Sequence, residues 1–346
     1  MLKKLSLAAI IAVSGVSFAS ATPLTDAIKN VDVSGKLDIE YTGTKRTSYT
    51  SEWTIDTEAK FTVPISEELK FIFNAKAKGV DEKVNFNQTE GYVNYTSANG
   101  YFVNFGKFAL KTPITDDAIS QGVLAGTKVN NVTLVGAFLD KTYDTDKVTV
   151  DDKNIYAVGA IIPTEYVNFQ AWYFNVNDTI NSDVVLRADI KPIENILLHA
   201  DYATADLNDR LNNSKTQTYY NVSAKVSYEN YCAKVGYAAT GKDGGIVTLE
   251  HDSPLTKVSP TENLQDIANS TDTTLTYAKI GAKIGAYTPY AGFAYRNDKV
   301  NKDKDTEYKV GVNYQYNKKT TISAYYNYFN NENAEQKYDV EFTYKF

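Results

Sequence analysis

Apolar and polar residues alternate with a period of two along most of the chain, in segments of about ten residues. The last segment shows it most plainly. Tyr338, Val340, Phe342, Tyr344 and Phe346 fall on one face, and Lys337, Asp339, Glu341, Thr343 and Lys345 on the other. Trp53, Ile55, Ala59, Phe61 and Val63 likewise oppose Thr54, Asp56, Glu58, Lys60 and Thr62, and Tyr308, Val310, Val312, Tyr314 and Tyr316 oppose Glu307, Lys309, Gly311, Asn313 and Gln315. Side chains alternate across a strand, so each segment predicts an amphipathic β-strand with one apolar and one charged face. Strands of a soluble β-sandwich usually run ~5–6 residues over a core of Val, Ile and Leu. Here the segments are longer and the apolar face ends in Tyr and Phe. That is the pattern of a transmembrane barrel, whose tilted strands need ~9–11 residues to cross the hydrocarbon. Such a sheet must close, because lipid offers an open edge no hydrogen-bond partner.

The breaks between segments set the strand count. Short breaks stand at Pro64-Ile65-Ser66-Glu67, Ser97 to Gly100, Pro163-Thr164-Glu165, Pro192-Ile193-Glu194, Glu229-Asn230, near Gly285 and at Asn317-Lys318. Long polar stretches occupy 42–51, 80–84, 109–120, 140–153, 176–182, 205–216, 241–272, 298–305 and 330–335. Barrel connections alternate between short periplasmic turns and long external loops. A count of seventeen strands puts the loops 109–120 and 140–153 in succession. The alternation is restored if 121–139 holds two strands, Gln121 to Val129 and Val132 to Leu139, joined at Asn130-Asn131. The expectation is an all-β, eighteen-stranded antiparallel barrel with eight short turns, nine external loops and both termini periplasmic.

The N-terminus supplies the route to such a membrane. Lys3 and Lys4, the apolar run Leu5 to Phe18 and Ala19-Ser20-Ala21 read as a signal peptide over 1–21. The barrel domain is then 22–346, with 34 basic against 42 acidic residues once Lys3 and Lys4 are removed, a net charge of -8. Beyond the signal no apolar run approaches the ~18 residues of a transmembrane helix. The whole chain's charge of -6 and its pI near 5.2 argue against nucleic acid, which needs a basic face. The lone Cys232 excludes an intrachain disulfide and a Cys-based zinc site. Neither His199 nor His251 has a nucleophile motif, so no enzymatic activity is expected.

The stretch Thr22-Pro23-Leu24-Thr25-Asp26-Ala27-Ile28-Lys29-Asn30-Val31-Asp32-Val33-Ser34-Gly35 resembles the mature start of the Campylobacter-type major outer membrane porins. Further matches are Thr115-Asp116-Asp117-Ala118-Ile119, Gly126-Thr127-Lys128-Val129 before Asn130-Asn131, and the terminal Tyr344-Lys345-Phe346. The resemblance runs through the mature chain in order and is tight in these patches. It implies a homotrimeric, cation-preferring general porin of eighteen strands in the Gram-negative outer membrane, in contact with its lipid and lipopolysaccharide. It also implies a structural Ca2+ held by acidic loop residues, for which Asp116, Asp152 and Glu250 are the matching positions. Hard oxygen ligands suit that ion, although no dense acidic motif such as an EF-hand loop is present.

An eighteen-stranded barrel is too wide for its own side chains to fill, so it holds water unless something obstructs it. Between the cleavage site and the first strand stands only Thr22 to Asn30, so the obstruction is expected from a loop. Porins fold their third loop inward, and the match at Thr115-Asp116 carries that role to 110–120. Asp116 and Asp117 then form the acidic lip of the constriction. Lys36, Lys76, Arg187, Lys225 and Lys234 oppose it on the lumenal wall, with Asp38, Asp56, Glu58 and Glu90 among them. Opposed acid and base across a narrow water path give a transverse field that sorts ions. The expected function is a general diffusion porin for ions and small hydrophilic solutes. The alternatives are a substrate-specific channel and a surface adhesin or structural barrel using the loop 241–272. Phe342, Tyr344 and Phe346 resemble the signal read by the outer-membrane assembly machinery.

Overall fold

The computed structural model describes residues 30–80, 83–116, 119–142, 153–208, 215–245, 249, 253–331 and 334–346. Eighteen strands follow one another: β1 (Asp32–Lys45), β2 (Tyr49–Pro64), β3 (Leu69–Val80), β4 (Lys83–Thr96), β5 (Tyr101–Ala109), β6 (Ile119–Val129), β7 (Val132–Thr142), β8 (Ile155–Pro163), β9 (Val167–Val176), β10 (Ile180–Ile193), β11 (Ile196–Leu207), β12 (Thr216–Tyr228), β13 (Tyr231–Thr240), β14 (Thr273–Ala282), β15 (Tyr287–Asp298), β16 (Asp303–Asn317), β17 (Thr320–Asn330) and β18 (Glu335–Lys345). Each pairs antiparallel with its neighbours in sequence, and β18 pairs with β1, so the sheet is closed. The split at Asn130-Asn131 is present, and Asn130 takes a positive φ of 53°, as a two-residue hairpin turn demands of its first residue.

The seam is tied at its short-turn end. The Gly35 amide donates to the Phe346 carbonyl and the Phe346 amide to the Gly35 carbonyl, each at 3.1 Å. The Phe346 ring lies over Gly35, where a Cβ would overlap it. No larger residue fits that crossing.

The outward face is apolar and exposed, as lipid requires. Val158, Val222, Val235, Ile280, Val310 and Val340 form a band. Tyr95, Tyr101, Tyr166, Tyr228, Tyr231, Tyr287 and Tyr316 ring the short-turn end, and Tyr49, Trp53, Tyr156, Tyr173, Tyr220, Tyr237 and Tyr308 ring the other. These are the two aromatic girdles of a membrane barrel.

Two departures from the sequence reading matter. Several strands extend past the lipid, so some loops shrink: 42–51 becomes the three residues between Lys45 and Tyr49, and 298–305 the four between Asp298 and Asp303. A hairpin continues for as long as its backbone pairs, and polar composition does not end it. The second concerns 241–272. Expected as an external loop, it has its described residues Leu255, Val258, Leu264, Ile267 and Ala268 packed onto the lumenal wall instead.

Candidate functional site: the loop-filled lumen

Two loops meet inside the barrel. In loop 3, between β5 and β6, Leu110, Thr112, Pro113, Ile114 and Thr115 are buried. Thr112 and Thr115 pair across a tight turn, their hydroxyls 2.8 Å apart. The Pro113 carbonyl accepts the Leu255 amide at 3.1 Å, joining loop 3 to loop 7, between β13 and β14. Loop 7 then runs around the wall. The Tyr219 hydroxyl on β12 donates to the Leu255 carbonyl at 3.1 Å, and the Lys234 ammonium on β13 to the Val258 carbonyl at 3.3 Å. Pro260 lies against Gly292 of β15, where a Cβ would crowd it.

The cause is an apolar lining. Leu255, Val258, Leu264, Ile267 and Ala268 of loop 7 are buried with Leu110 and Ile114 of loop 3 against Trp172, Phe174, Val176, Val185, Ala203, Ala205, Tyr219, Ala238, Leu275 and Tyr277. These wall residues face inward from the long-loop halves of β9–β14. Removing that surface from water drives both loops inward, at about 25 cal/mol per Å² of apolar area covered. The signal stands in the sequence. Ala171-Trp172-Tyr173-Phe174 and Val184-Val185-Leu186 are apolar on both faces, and a strand apolar on both faces is covered on both.

A carboxylate fastens the far end of loop 7. Glu307 on β16 is fully buried and accepts the amides of Glu262 (3.2 Å), Asn263 (2.9 Å) and Leu264 (2.7 Å). The Asn263 and Asn327 side-chain amides donate to it at 3.0 Å and 2.6 Å. The next residue along, Glu262, bonds Lys309 of β16 and faces Lys337 of β18 at 3.6 Å. Burial alone would raise the Glu262 carboxyl, but the hydrogen bond and charge of Lys309, with the charge of Lys337, hold it below the usual carboxylate range. A carboxyl depressed in the folded state contributes stability above its unfolded pKa and loses it as pH falls through the folded one. Loop docking should therefore stay constant near neutrality and weaken only below pH ~4. Protease protection of loop 7 measured against pH checks this; a loss of protection between pH 6 and 8 would contradict it.

The lysines form a row. Lys225 on β12 stands opposite Lys234 on β13, Lys234 opposite Lys279 on β14, and the row continues through Gly292, Lys309 and Asn327 to Lys337. Loop 7 brings Glu262 to the last two lysines only. Lys234 and Lys279 lie over the rings of Tyr277 and Tyr290 at 5.1 and 4.8 Å. Among the described residues Lys225, Lys234 and Lys279 make no ion pair. Beside them Arg187 binds Asp201 at 2.7 Å, and the His199 ring has a carboxylate at 2.7 Å from each nitrogen, Asp189 and Asp201.

Across the ring lies an acidic arc: Asp38 and Glu40 of β1, Asp56 and Glu58 of β2, Asp339 and Glu341 of β18, all of the lumenal parity. Glu40 stands opposite Glu341, and Asp38 opposite Asp56. In a ring of eighteen strands Arg187 on β10 is diametrically opposite β1.

Of the residues singled out from sequence, Lys36 binds Asp38 at 2.5 Å and Lys76 lies 3.8 Å from Asp56, so both stand within the acidic arc. Arg187, Lys225 and Lys234 sit together on the facing wall. Cys232 is lumenal, beside the Glu229-Asn230 turn. Asp116 is exposed at the end of loop 3. Asp117, Asp152, Glu250, His251 and the signal segment lie outside the described residues, and among the described ones no group of three or more His, Cys, Asp or Glu is placed to hold a metal ion. Lys279, Glu262, Glu307 and the arc residues Glu40, Asp339 and Glu341 were not foreseen as site residues. Only the register brings them together.

The sequence profile of one family, the Campylobacter major outer membrane protein, matches residues 1–341. No curated protein matches the chain. Among solved structures, Pseudomonas aeruginosa OccK9 (OpdG) is similar over 92% of this chain and 99% of its own, with a TM-score of 0.78 and 11% identity. OccK3 (OpdO) of the same organism covers 93% and 97% at a TM-score of 0.75 and 13% identity. OpdQ covers 92% and 99% at 0.74 and 14%. Identities this low establish the shared barrel fold and nothing finer.

Proposed function

Given that this chain belongs to the Campylobacter major outer membrane protein family, we propose that it is a diffusion channel passing small hydrophilic solutes with a preference for cations, its water path narrowed by loops 3 and 7. It resides in the Gram-negative outer membrane, and family and fold alike support a channel role rather than an enzyme. One observation carries the selectivity: the arc of Asp38, Glu40, Asp56, Glu58, Asp339 and Glu341 across the lumen from Arg187. Low-dielectric walls strengthen the action of such fixed charges on a passing ion. With a barrel-domain net charge of -8, the field favours cations. Asp116 and Asp117 would add to it from the loop 3 lip. Reconstitution in a planar bilayer under a salt gradient tests the reading. Stepwise conductance with a reversal potential of the cation-preferring sign supports it, a silent bilayer removes the channel, and the opposite sign removes the preference. A solute-specific channel is the second reading, favoured by how much of the wall loop 7 covers.

The same family membership supports a homotrimer, and the apolar outer face offers surface for it. Unheated detergent gels should show a slow oligomer band that collapses on boiling. Calcium at Asp116, Asp152 and Glu250 stays a proposal from the resemblance, for which a shift in melting temperature on chelation is the measure.

The terminal Phe342, Tyr344 and Phe346 are proposed as the mark read by the assembly machinery. Phe346 also makes the last pair of the seam with Gly35. Deleting it should lower the folded, surface-exposed fraction several-fold in cells. If the deletion lowers refolding into detergent equally, the seam accounts for the loss and the assembly role falls.

A further inference from the structure

We propose that His199, clamped between Asp189 and Asp201, is a specificity-determining residue of the lumen whose ring proton sets how strongly the channel prefers cations. The inference rests on the channel reading, to which it adds control by pH.

Register makes the clamp. Asp189 of β10 stands directly opposite His199 of β11, and Asp201 follows on the same lumenal face of β11. Asp189 Oδ1 is 2.7 Å from the ring Nδ1, and Asp201 Oδ2 is 2.7 Å from Nε2. An ionised carboxylate only accepts hydrogen bonds, and a neutral imidazole has one N–H to give. A carboxylate at hydrogen-bond distance from each nitrogen therefore needs both N–H protons of the imidazolium. An unperturbed imidazole holds its proton to a higher pH than a carboxyl does, so the ring is the member that carries it.

The two acids are held unequally. Asp201 is buried, and it also accepts the Arg187 Nε at 2.7 Å and the Asn221 side-chain amide at 3.2 Å. Asn221 is fixed in turn by the Tyr277 hydroxyl at 2.8 Å. The Asp189 side chain is 32% exposed, and with His199 it lines a chamber of about 580 Å³ between loop 7 and the wall. The ring can thus give a proton to lumenal water. Its remaining N–H then stays with Asp201, the buried charge that costs more to leave unpaired. A bare Nδ1 lone pair faces Asp189, which turns toward the lumen. With the proton in place Arg187 and His199 balance the two carboxylates; without it the group carries one net negative charge. That charge faces the acidic arc across the barrel and adds to its field.

The other groups facing the ring do not duplicate this. Lys225 of β12, Lys234 of β13, Lys279 of β14 and Lys257 of loop 7 line the same chamber, and lysines ordinarily titrate well above neutrality. From β9 come the neutral Asn168 and Gln170, opposite Asp189 and Arg187, and from β12 the neutral Ser223, opposite His199. The Cys232 thiol lines the chamber too, and a thiol ordinarily titrates near pH ~8.5, so its removal is the control.

In planar bilayers under a fixed salt gradient, raising the pH from about 5.5 to 8.5 is expected to increase the cation-to-anion permeability ratio roughly two-fold. His199→Gln, which has no proton to lose, should hold the ratio flat, whereas Cys232→Ser should keep the wild-type response. Protease protection of loop 7 should not change across this range, which separates an effect of charge from release of the loop. NMR of untagged protein with isotope-labelled histidine reads the ring directly, His251→Gln leaving His199 as the only histidine. At the acid end both nitrogens should give the imidazolium signal, and that signal should titrate with the same midpoint as the permeability ratio. A ring that is neutral throughout, a conducting channel whose ratio ignores pH, or a pH response that survives His199→Gln overturns the proposal. A silent bilayer removes the channel reading instead, and the ring spectrum alone then decides whether His199 holds the proton. Heat-modifiability on gels confirms that each variant is folded, and where His199→Gln is not, His199→Asn takes its place.

Discussion

Replacing Glu307 by alanine is expected to release loop 7 from the wall and raise the single-channel conductance roughly two-fold, as the obstruction leaves the water path. The carboxylate is fully buried and accepts three consecutive backbone amides of loop 7, at Glu262, Asn263 and Leu264. Hydrogen bonds to a charged group contribute ~1.5–3 kcal/mol each, and a buried donor left unsatisfied costs ~1–3 kcal/mol. Since ~1.4 kcal/mol is a factor of ten in an equilibrium, losing even part of this set shifts the loop decisively toward release. Glu307→Gln keeps one acceptor oxygen and should fall between wild type and alanine. The barrel itself should survive, because β16 keeps its backbone pairing with β15 and β17. Limited proteolysis checks the mechanism directly, as cleavage within 253–268 should accelerate in step with conductance. A variant with higher conductance and unchanged cleavage would show that the carboxylate acts through its charge and not as an anchor.

Reversing charge on the acidic arc, with Glu40→Lys and Glu341→Lys together, should convert the channel from cation-preferring to anion-preferring. These two residues stand opposite each other on β1 and β18, so the double variant replaces a paired negative site by a paired positive one. An interaction of ~1 kcal/mol with a passing ion changes relative permeability about five-fold, and the substitution alters four units of charge, so a change in permeability ratio of ten-fold or more is expected. The reversal potential in a salt gradient reads it. Raising the salt should shrink the difference, because screening shortens the reach of fixed charges. Lys302→Glu outside the lumen should do much less. Were that control to match the double variant, selectivity would come from net charge and the arc would not be the filter.

The barrel was legible residue by residue. Period-two alternation in segments such as 338–346 reports a sheet with one lipid face, and lipid forces closure, so strand number followed from counting breaks and from the two strands in 121–139. Loop parity separated the short-turn end from the long-loop end in the same way. The filter was legible only in part. Arg187, Lys225 and Lys234 read as lumenal because orientation within a strand is local. Lys36 and Lys76 read as lumenal with Asp38, Asp56 and Glu58 among them, but which acid each meets, and their place on the side of the ring away from Arg187, depend on register.

What the sequence by itself determined was therefore everything governed by neighbours along the chain: strand orientation, turn position, girdles and the inward direction of each charge. The tertiary structure decided what depends on residues far apart in sequence. The row from Lys225 to Lys337 spans seven strands, and it exists because successive hairpin registers place one lysine after another at the same height. Loop 7 gave the clearest division. Its polar composition read as a surface loop, whereas Leu255, Val258 and Leu264 find an apolar wall that only the closed barrel assembles. Burial of apolar surface is non-directional and takes whatever partner the topology brings within reach. Alternation along a strand reports its own two faces, but not which loop will come to lie on one of them.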